Sequence, residues 1–160
     1  MEEQEKTARY ALVLDELRHM LGTEGVPPKY VLDDISRMAI VAAVLKMHLP
    51  HYFFVGFYRA TDDQVLQIGP YQGEVLACGS IPYGRGVCGA CARELRPMVV
   101  PDVSRFPGYI ACDNQTRSEI VVPVIRDGKL LAVLDVDSVQ LDDFDEVDVE
   151  YLERCIEVFC

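Results

Sequence analysis

The stretch Ser118-Glu119-Ile120-Val121-Val122-Pro123-Val124-Ile125-Arg126-Asp127-Gly128-Lys129-Leu130-Leu131-Ala132-Val133-Leu134-Asp135-Val136-Asp137 decides the fold of this chain. Two runs, Ser118 to Ile125 and Leu130 to Asp137, are rich in β-branched and aliphatic residues and flank Asp127-Gly128, a pair suited to a tight turn. Both alternating sets of positions in each run are mostly apolar, so the two strands are covered on both faces and belong inside a sheet. Downstream, Asp145 opens a helix whose Val149, Leu152, Ile156 and Phe159 recur at helical spacing. Upstream lie a long loop, Pro101 to Gln115, a short strand, Met98 to Val100, and a helix, Val87 to Leu95, entered through glycines and stopped by Pro97. Farther back, Tyr52 to Tyr58 and Val65 to Ile68 form a hairpin about Asp62-Asp63, returning towards Gly69-Pro70.

The N-terminal part is helical. Ala8, Ala11, Leu12, Leu14 and Leu17 give an amphipathic helix over Thr7 to Leu21, and Gly22 to Pro28 is a loop. A more apolar and therefore more buried helix follows from Tyr30 to Leu49, and Pro50 stops it. The order of elements is that of an α+β domain with a largely antiparallel sheet. At 160 residues, half of them apolar, residues 1–160 read as one domain: 1–50 N-terminal helices, 51–144 sheet and loops, 145–160 a closing helix.

Composition excludes several classes of function. The formal net charge of -11, with no basic stripe, argues against a nucleic-acid partner. No run of 18 apolar residues is present and the start, Met1-Glu2-Glu3-Gln4-Glu5-Lys6, is charged, so the expectation is a cytoplasmic protein without a membrane partner. Six cysteines without an export signal are expected to be reduced at rest.

Cys78, Cys88 and Cys112 sit amid turn-forming residues rather than inside apolar runs, which favours accessible, reactive thiols. Cys88-Gly89-Ala90-Cys91 is a lone C-x-x-C, open to reading as a redox pair or as half of a zinc site that Cys78 and Cys112 complete in number. Cys155 and Cys160 are packing or end residues on the last helix. His19 and the His48-Leu49-Pro50-His51 pair lie outside the cysteine segments, and Pro50 breaks the one-face geometry of a helical metal pair.

The acids of the decisive hairpin gather at one end. Asp135 and Asp137 share a face by strand alternation. Glu119 joins them only in one register. A two-residue loop at Asp127-Gly128 pairs it with Val136, on the other face; a three-residue loop, Arg126-Asp127-Gly128, pairs it with Asp135, and this second register is the expectation. Three carboxylates at the rim of an apolar face repel one another and raise at least one proton affinity, which makes a proton donor. A divalent cation, an ammonium group or a sulfoxide oxygen awaiting a proton fits such a cluster.

Several segments together resemble one enzyme family: Val55-Gly56-Phe57-Tyr58, Gly69-Pro70-Tyr71-Gln72-Gly73, Ile81-Pro82-Tyr83-Gly84-Arg85-Gly86-Val87-Cys88-Gly89, Phe106-Pro107-Gly108-Tyr109-Ile110-Ala111-Cys112-Asp113, Ser118-Glu119-Ile120-Val121 and Val133-Leu134-Asp135-Val136-Asp137-Ser138. In order from about Tyr52 to Phe144 they look like the free methionine-(R)-sulfoxide reductases, built on a single GAF domain. The resemblance implies a sheet with the terminal helices on one side, and loops and a short helix enclosing a pocket on the other.

It also implies roles: Cys112 the nucleophile, Cys78 the resolving cysteine, Cys88 a third cysteine able to exchange disulfides, and Glu119, Asp135 and Asp137 the substrate-site carboxylates, with Phe54 and Tyr58 at the substrate. The implied reaction reduces free methionine-(R)-sulfoxide through a cysteine sulfenic acid and an intramolecular disulfide, with thioredoxin as the external dithiol, no metal and no organic cofactor, in a homodimer. Two departures stand out. Phe54 occupies a place where the family often has tryptophan, and Cys91 one where many members have a small residue without a thiol. A GAF-type small-molecule sensor and a thiol redox-sensing or zinc-binding protein are the alternatives.

Overall fold

The structure, a computed structural model, describes residues 1–22, 25 and 31–160. Helices α1 (Glu3–Leu21) and α2 (Asp34–His48) precede strands β1 (Phe54–Ala60), β2 (Val65–Gly73) and β3 (Ser80–Pro82). Helix α3 (Gly86–Glu94), strands β4 (Met98–Val100), β5 (Ser118–Arg126) and β6 (Lys129–Ser138), and helix α4 (Glu146–Ile156) complete the chain. The strands form one six-stranded sheet in the order β3-β2-β1-β6-β5-β4, with every neighbouring pair antiparallel.

The sheet divides two apolar layers. Val55, Phe57, Ile120, Val122, Val124, Ala132, Leu134 and Val136 point to the side covered by α1, α2 and α4. Phe54, Tyr58, Leu66, Val121 and Val133 point to the other side, where α3 contributes Val87, Cys88, Cys91 and Ala92. This is the two-sided cover expected from the apolar runs of β5 and β6. Among the described residues no helix is long and apolar enough to cross a membrane.

Several boundaries differ from the sequence reading. Helix α1 begins at Glu3 rather than Thr7, because Lys6 is drawn into a buried ion-pair network. Helix α2 begins at Asp34, not Tyr30, since the Asp33 side chain accepts a hydrogen bond from the Ser36 amide (2.7 Å) and caps it. Val31 and Leu32 are exposed and not helical; Tyr30 and most of the Gly22 to Pro28 segment lie outside the described residues. Strand β2 passes Ile68 and continues to Gly73, absorbing Gly69-Pro70 as a bulge opposite Phe57. The Pro101 to Gln115 loop contains one 3-10 turn, Val103–Arg105, and β3 had no separate signal in the sequence. Pro123 is tolerated inside β5 because β4 pairs only as far as Val121, leaving that edge free.

The ends of the chain are tied together below the sheet. The Asp148 carboxylate, 1% exposed, accepts from Lys6 Nζ (2.6 Å), Tyr10 Oη (2.9 Å) and Tyr52 Oη (3.0 Å), while the two tyrosine hydroxyls touch each other. Lys6 also reaches Asp145 (2.8 Å), the N-cap of α4. Asp148→Ala leaves a buried ammonium and two buried hydroxyls short of a partner, so it is expected to destabilise by about 3 kcal/mol. Urea denaturation measures this; a change near zero refutes the role of the network.

Candidate active site

The three acids meet on one face, but by a route the sequence did not disclose. The Asp127-Gly128 turn has two residues, both with positive φ (51° and 75°), so Arg126 pairs with Lys129 and Ile125 with Leu130. The register then shifts between Ile125 and Val124, leaving Leu131 as an extra residue in β6. Beyond this bulge Val124 faces Ala132, and Glu119 faces Asp137 rather than Asp135. The expected three-residue loop and Glu119–Asp135 pair are therefore incorrect. The bulge supplies a one-residue shift of the opposite sense inside the strand, and it is this shift that brings Glu119 to the face of Asp135 and Asp137.

Strand β1 extends the row. Phe54 pairs with Asp137 and Gly56 with Asp135. A Cβ on Gly56 would lie 2.7 Å from the Phe54 ring and 2.5 Å from Tyr71 Cβ, so glycine at this position lets the Phe54 ring lie across the strand and stack on Tyr71 (centroids 5.4 Å apart). An apolar wall thus stands beside the acids.

The opposite wall comes from loops. Cys78, before β3, and Cys112, between β4 and β5, are joined as a disulfide with Cα atoms 5.3 Å apart. Asp113, next to Cys112, accepts from the amides of Gln115 (2.6 Å) and Thr116 (2.8 Å) and from the Thr116 hydroxyl (2.7 Å), and so fixes the loop as it enters β5. At the other end of the loop, the Gly86 amide donates to Gly108 carbonyl oxygen (3.2 Å), tying it to the start of α3. The cleft between these walls holds about 460 Å³ of empty space including its mouth. Phe54, Tyr58, Cys88, Cys112, Glu119, Asp135 and Asp137 all line it, whereas Cys78, the remaining residue singled out for the site from the sequence, is not part of the lining and is held at its edge by the bond to Cys112. The expectation of six reduced thiols at rest fails for Cys78 and Cys112, which the fold brings within bonding distance from segments 34 residues apart.

Cys88 departs from the loop-borne, solvent-accessible thiol that its neighbours suggested. It lies inside α3 and is buried, with its thiol donating weakly to Glu119 Oε1 (3.9 Å). Burial, reinforced by the charges of Asp135, Glu119 and Asp137, pushes this thiol well up, so it stays protonated. Cys91 is also buried, against the Val121 carbonyl oxygen, and burial pushes it up to about 12. Cys155 is buried in the helical layer and Cys160 exposed, as their packing and terminal positions suggested. His48 closes α2 and meets Glu16 (2.6 Å), and His51 packs edge-on to Tyr52; neither is among the residues that line the cleft.

The surroundings of the acids raise the proton affinity of all three. Burial raises Glu119 well above the ordinary carboxyl range, and the charges of Asp135 and Asp137 add to it. Burial also raises Asp137, partly exposed at the mouth, with Asp135 and Asp113 as further causes. Asp135, 6% exposed, is pushed by burial up to about 7, with Cys88 and Glu119 holding it from going higher. Its Oδ1 has no hydrogen-bond partner among the described residues. Such a cluster can give a proton to a basic oxygen or hold a cationic group.

Comparison with known proteins agrees with this geometry. The chain matches the GAF domain family over residues 32–157. Free methionine-R-sulfoxide reductase of Escherichia coli is 37% identical over 122 residues, covering 76% of this chain and 73% of that protein. The Saccharomyces cerevisiae protein of the same name is 49% identical over 104 residues, covering 63% of this chain and 57% of that protein. The X-ray structure of free methionine-R-sulfoxide reductase from Neisseria meningitidis in complex with its substrate superposes with a TM-score of 0.86 at 39% identity, covering 96% of this chain and 87% of that one. The chain belongs to the free methionine-R-sulfoxide reductases of the GAF domain family.

In this reductase the cleft also uses residues to which the sequence reading gave no role. Tyr109 and Ile110 come from the loop before Cys112, and Val75, Leu76 and Ala77 from the loop before Cys78. Burial raises the Tyr58 and Tyr109 phenols, and nearby acids raise them further, so both are hydrogen-bond donors. The signal for Tyr109 was its place three residues before Cys112, but only the fold shows that it faces the acids.

The acid cluster makes the stability of this reductase depend on pH with a definite sign. Asp135 ionises near its ordinary 3.8 in the unfolded chain and near 7 when folded, so between about pH 4 and 7 the folded state holds the extra proton. Its contribution is complete below about pH 4 and lost as pH rises through about 7, with an upper bound of about 4 kcal/mol. Denaturation of the disulfide form at pH 5 and pH 8 should show a smaller decline for Asp135→Asn than for the parent; equal declines refute the assignment.

Proposed function

We propose that this protein reduces free L-methionine-(R)-sulfoxide to L-methionine, with Cys112 as nucleophile and Cys78 as resolving cysteine. The observation that carries the reading is the joining of those two cysteines at the edge of a cleft whose floor holds three proton-rich acids. The family relationship to reductases of that name supports the substrate and its stereochemistry.

The Cys112 thiolate attacks the sulfoxide sulfur while a protonated carboxyl of the Glu119, Asp135 and Asp137 cluster gives its proton to the oxygen, which would otherwise leave poorly as an anion. The protonated oxygen then passes from the substrate sulfur to the Cys112 sulfur as the bond between the two sulfurs breaks, its electron pair going to the substrate, so that methionine leaves and Cys112 is left as a sulfenic acid. Cys78 attacks that sulfur, expelling water and forming the disulfide. Two electrons from an external dithiol, thioredoxin in this reading, reopen it. The electrons pass through thiols throughout, so the cycle calls for no metal or organic cofactor. Phe54 and Tyr58 shelter the methyl end, the smaller Phe54 standing in for an indole, while the acids suit the ammonium end.

A cytoplasmic setting with a reducing thiol pool suits the recycling step. A homodimer belongs to the same reading, and exposed Leu12 and Met20 on α1 offer apolar surface for it. Purified protein with thioredoxin, thioredoxin reductase and NADPH should oxidise NADPH on addition of the free R-sulfoxide, and far more slowly with a peptide-bound sulfoxide. Binding without turnover would favour the sensor reading instead, and no response to either substrate would overturn the proposal.

A further inference from the structure

Cys88, Glu119 and Asp135 each offer one ligand atom, and the three atoms lie within 4.8 Å of one another. Tetrahedral zinc, with Zn–S near 2.3 Å and Zn–O near 2.0–2.2 Å, places sulfur and oxygen ligands about 3.6 Å apart. The Cys88 Sγ to Glu119 Oε1 separation is already 3.9 Å. Within this cluster Asp135 Oδ1 lies buried, in a residue 6% exposed, with no partner among the described residues, an arrangement that leaves a strong acceptor in need of one. The mixed donor set selects the kind of ion. A thiolate disfavours Mg²⁺ and Ca²⁺, whereas borderline Zn²⁺ takes sulfur and carboxylate oxygen together.

We propose that Cys88 Sγ, Glu119 and Asp135 form a three-ligand zinc site on the floor of the cleft, its fourth position facing the space left for substrate. Occupation withdraws the Glu119 and Asp135 carboxyls and the Cys88 thiol from the reacting centre and is inhibitory. The site is not a structural one, because the fold is complete around it. Binding changes no oxidation state: the Cys88 S–H bond breaks, an S–Zn bond forms, and the proton passes to buffer, as does any proton carried by the two carboxyls. The site rests on side-chain geometry alone, while its inhibitory effect rests on the reductase reading, and the two are tested separately.

The test uses the disulfide form, in which Cys78 and Cys112 are not thiols. Cobalt(II), a spectroscopic stand-in for zinc, should give a near-ultraviolet sulfur-to-cobalt charge-transfer band at one equivalent, and zinc titrated by calorimetry should displace it. Cys88→Ser should abolish the band and weaken zinc at least tenfold, about the loss that follows even from removing a ligand's supporting partner. The band should persist in Cys91→Ser and Cys160→Ser, and in Glu119→Gln with weakened affinity, a variant that answers the question should Cys88→Ser fail to fold. A band that survives Cys88→Ser in folded protein, or stoichiometric binding unaffected by both Cys88→Ser and Glu119→Gln, overturns the site. So does the absence of binding at one equivalent. NADPH-linked turnover with and without zinc then reads inhibition on its own.

Discussion

Cys112→Ser is expected to abolish steady-state turnover, lowering kcat/KM by at least about 10³-fold. A serine hydroxyl is hardly ionised near neutral pH and is a poor nucleophile towards sulfur. The same substitution also removes one half of the disulfide that closes the cycle. Cys78→Ser separates these two losses. With Cys112 intact, one equivalent of methionine should still form rapidly from each protein molecule, after which the reaction stalls at the Cys112 sulfenic acid. Rapid-quench measurement of methionine therefore assigns the two cysteines. A one-equivalent burst from Cys112→Ser and none from Cys78→Ser would exchange their roles.

That assignment depends on loops the sequence described better chemically than spatially. Cys78 and Cys112 lie in turn-rich segments and prove to be partners across the cleft, but nothing local to either segment says that they meet. Cys88 shares their glycine-rich surroundings and behaves differently, because the helix that starts at Gly86 turns its third residue inwards against Glu119. The sheet was legible for a simpler reason. Apolar runs on both faces, a turn-forming Asp127-Gly128 and the spacing of the terminal helices are local signals, and they specify which elements form and which are buried.

Register was the point at which local signals failed. The turn in the structure is the one that, continued without interruption, sends Glu119 to the helical side of the sheet, where it would be buried in hydrocarbon. The extra residue at Leu131 reverses this. A Leu in an apolar run carries no mark of a bulge, and the cost of burying Glu119 among Ile120, Val122 and Leu134 of the other layer is what selects the shifted pairing. The functional face is therefore set by a global energy term, and a reading confined to the turn reaches the correct face through the wrong partner.

Because the bulge places all three acids together, their substitution by amides gives the second large expected effect. Glu119→Gln and Asp135→Asn should each lower kcat/KM on the free sulfoxide by about 10²–10⁴-fold, the range over which a positioned proton donor acts. Neither should unfold the protein: an amide keeps the shape, cannot ionise, and removes a charge that raises the proton affinity of its neighbours. Rate and stability are thus expected to move independently, with denaturation midpoints at pH 8 held or raised while turnover collapses. The double variant should lose less than the product of the single losses, since the acids share protons and act as one donor. Its pH profile supplies a second signature. In the parent, the rate should fall as pH rises through about 7, where Asp135 loses its proton; in Asp135→Asn that fall should disappear, and the one that remains belongs to Glu119 and Asp137, whose proton affinity drops because they face one charge fewer. Amide variants with parental rates, or losses matched by equal losses of stability, would remove the acids from the chemistry and leave them as a binding site for the substrate's ammonium group.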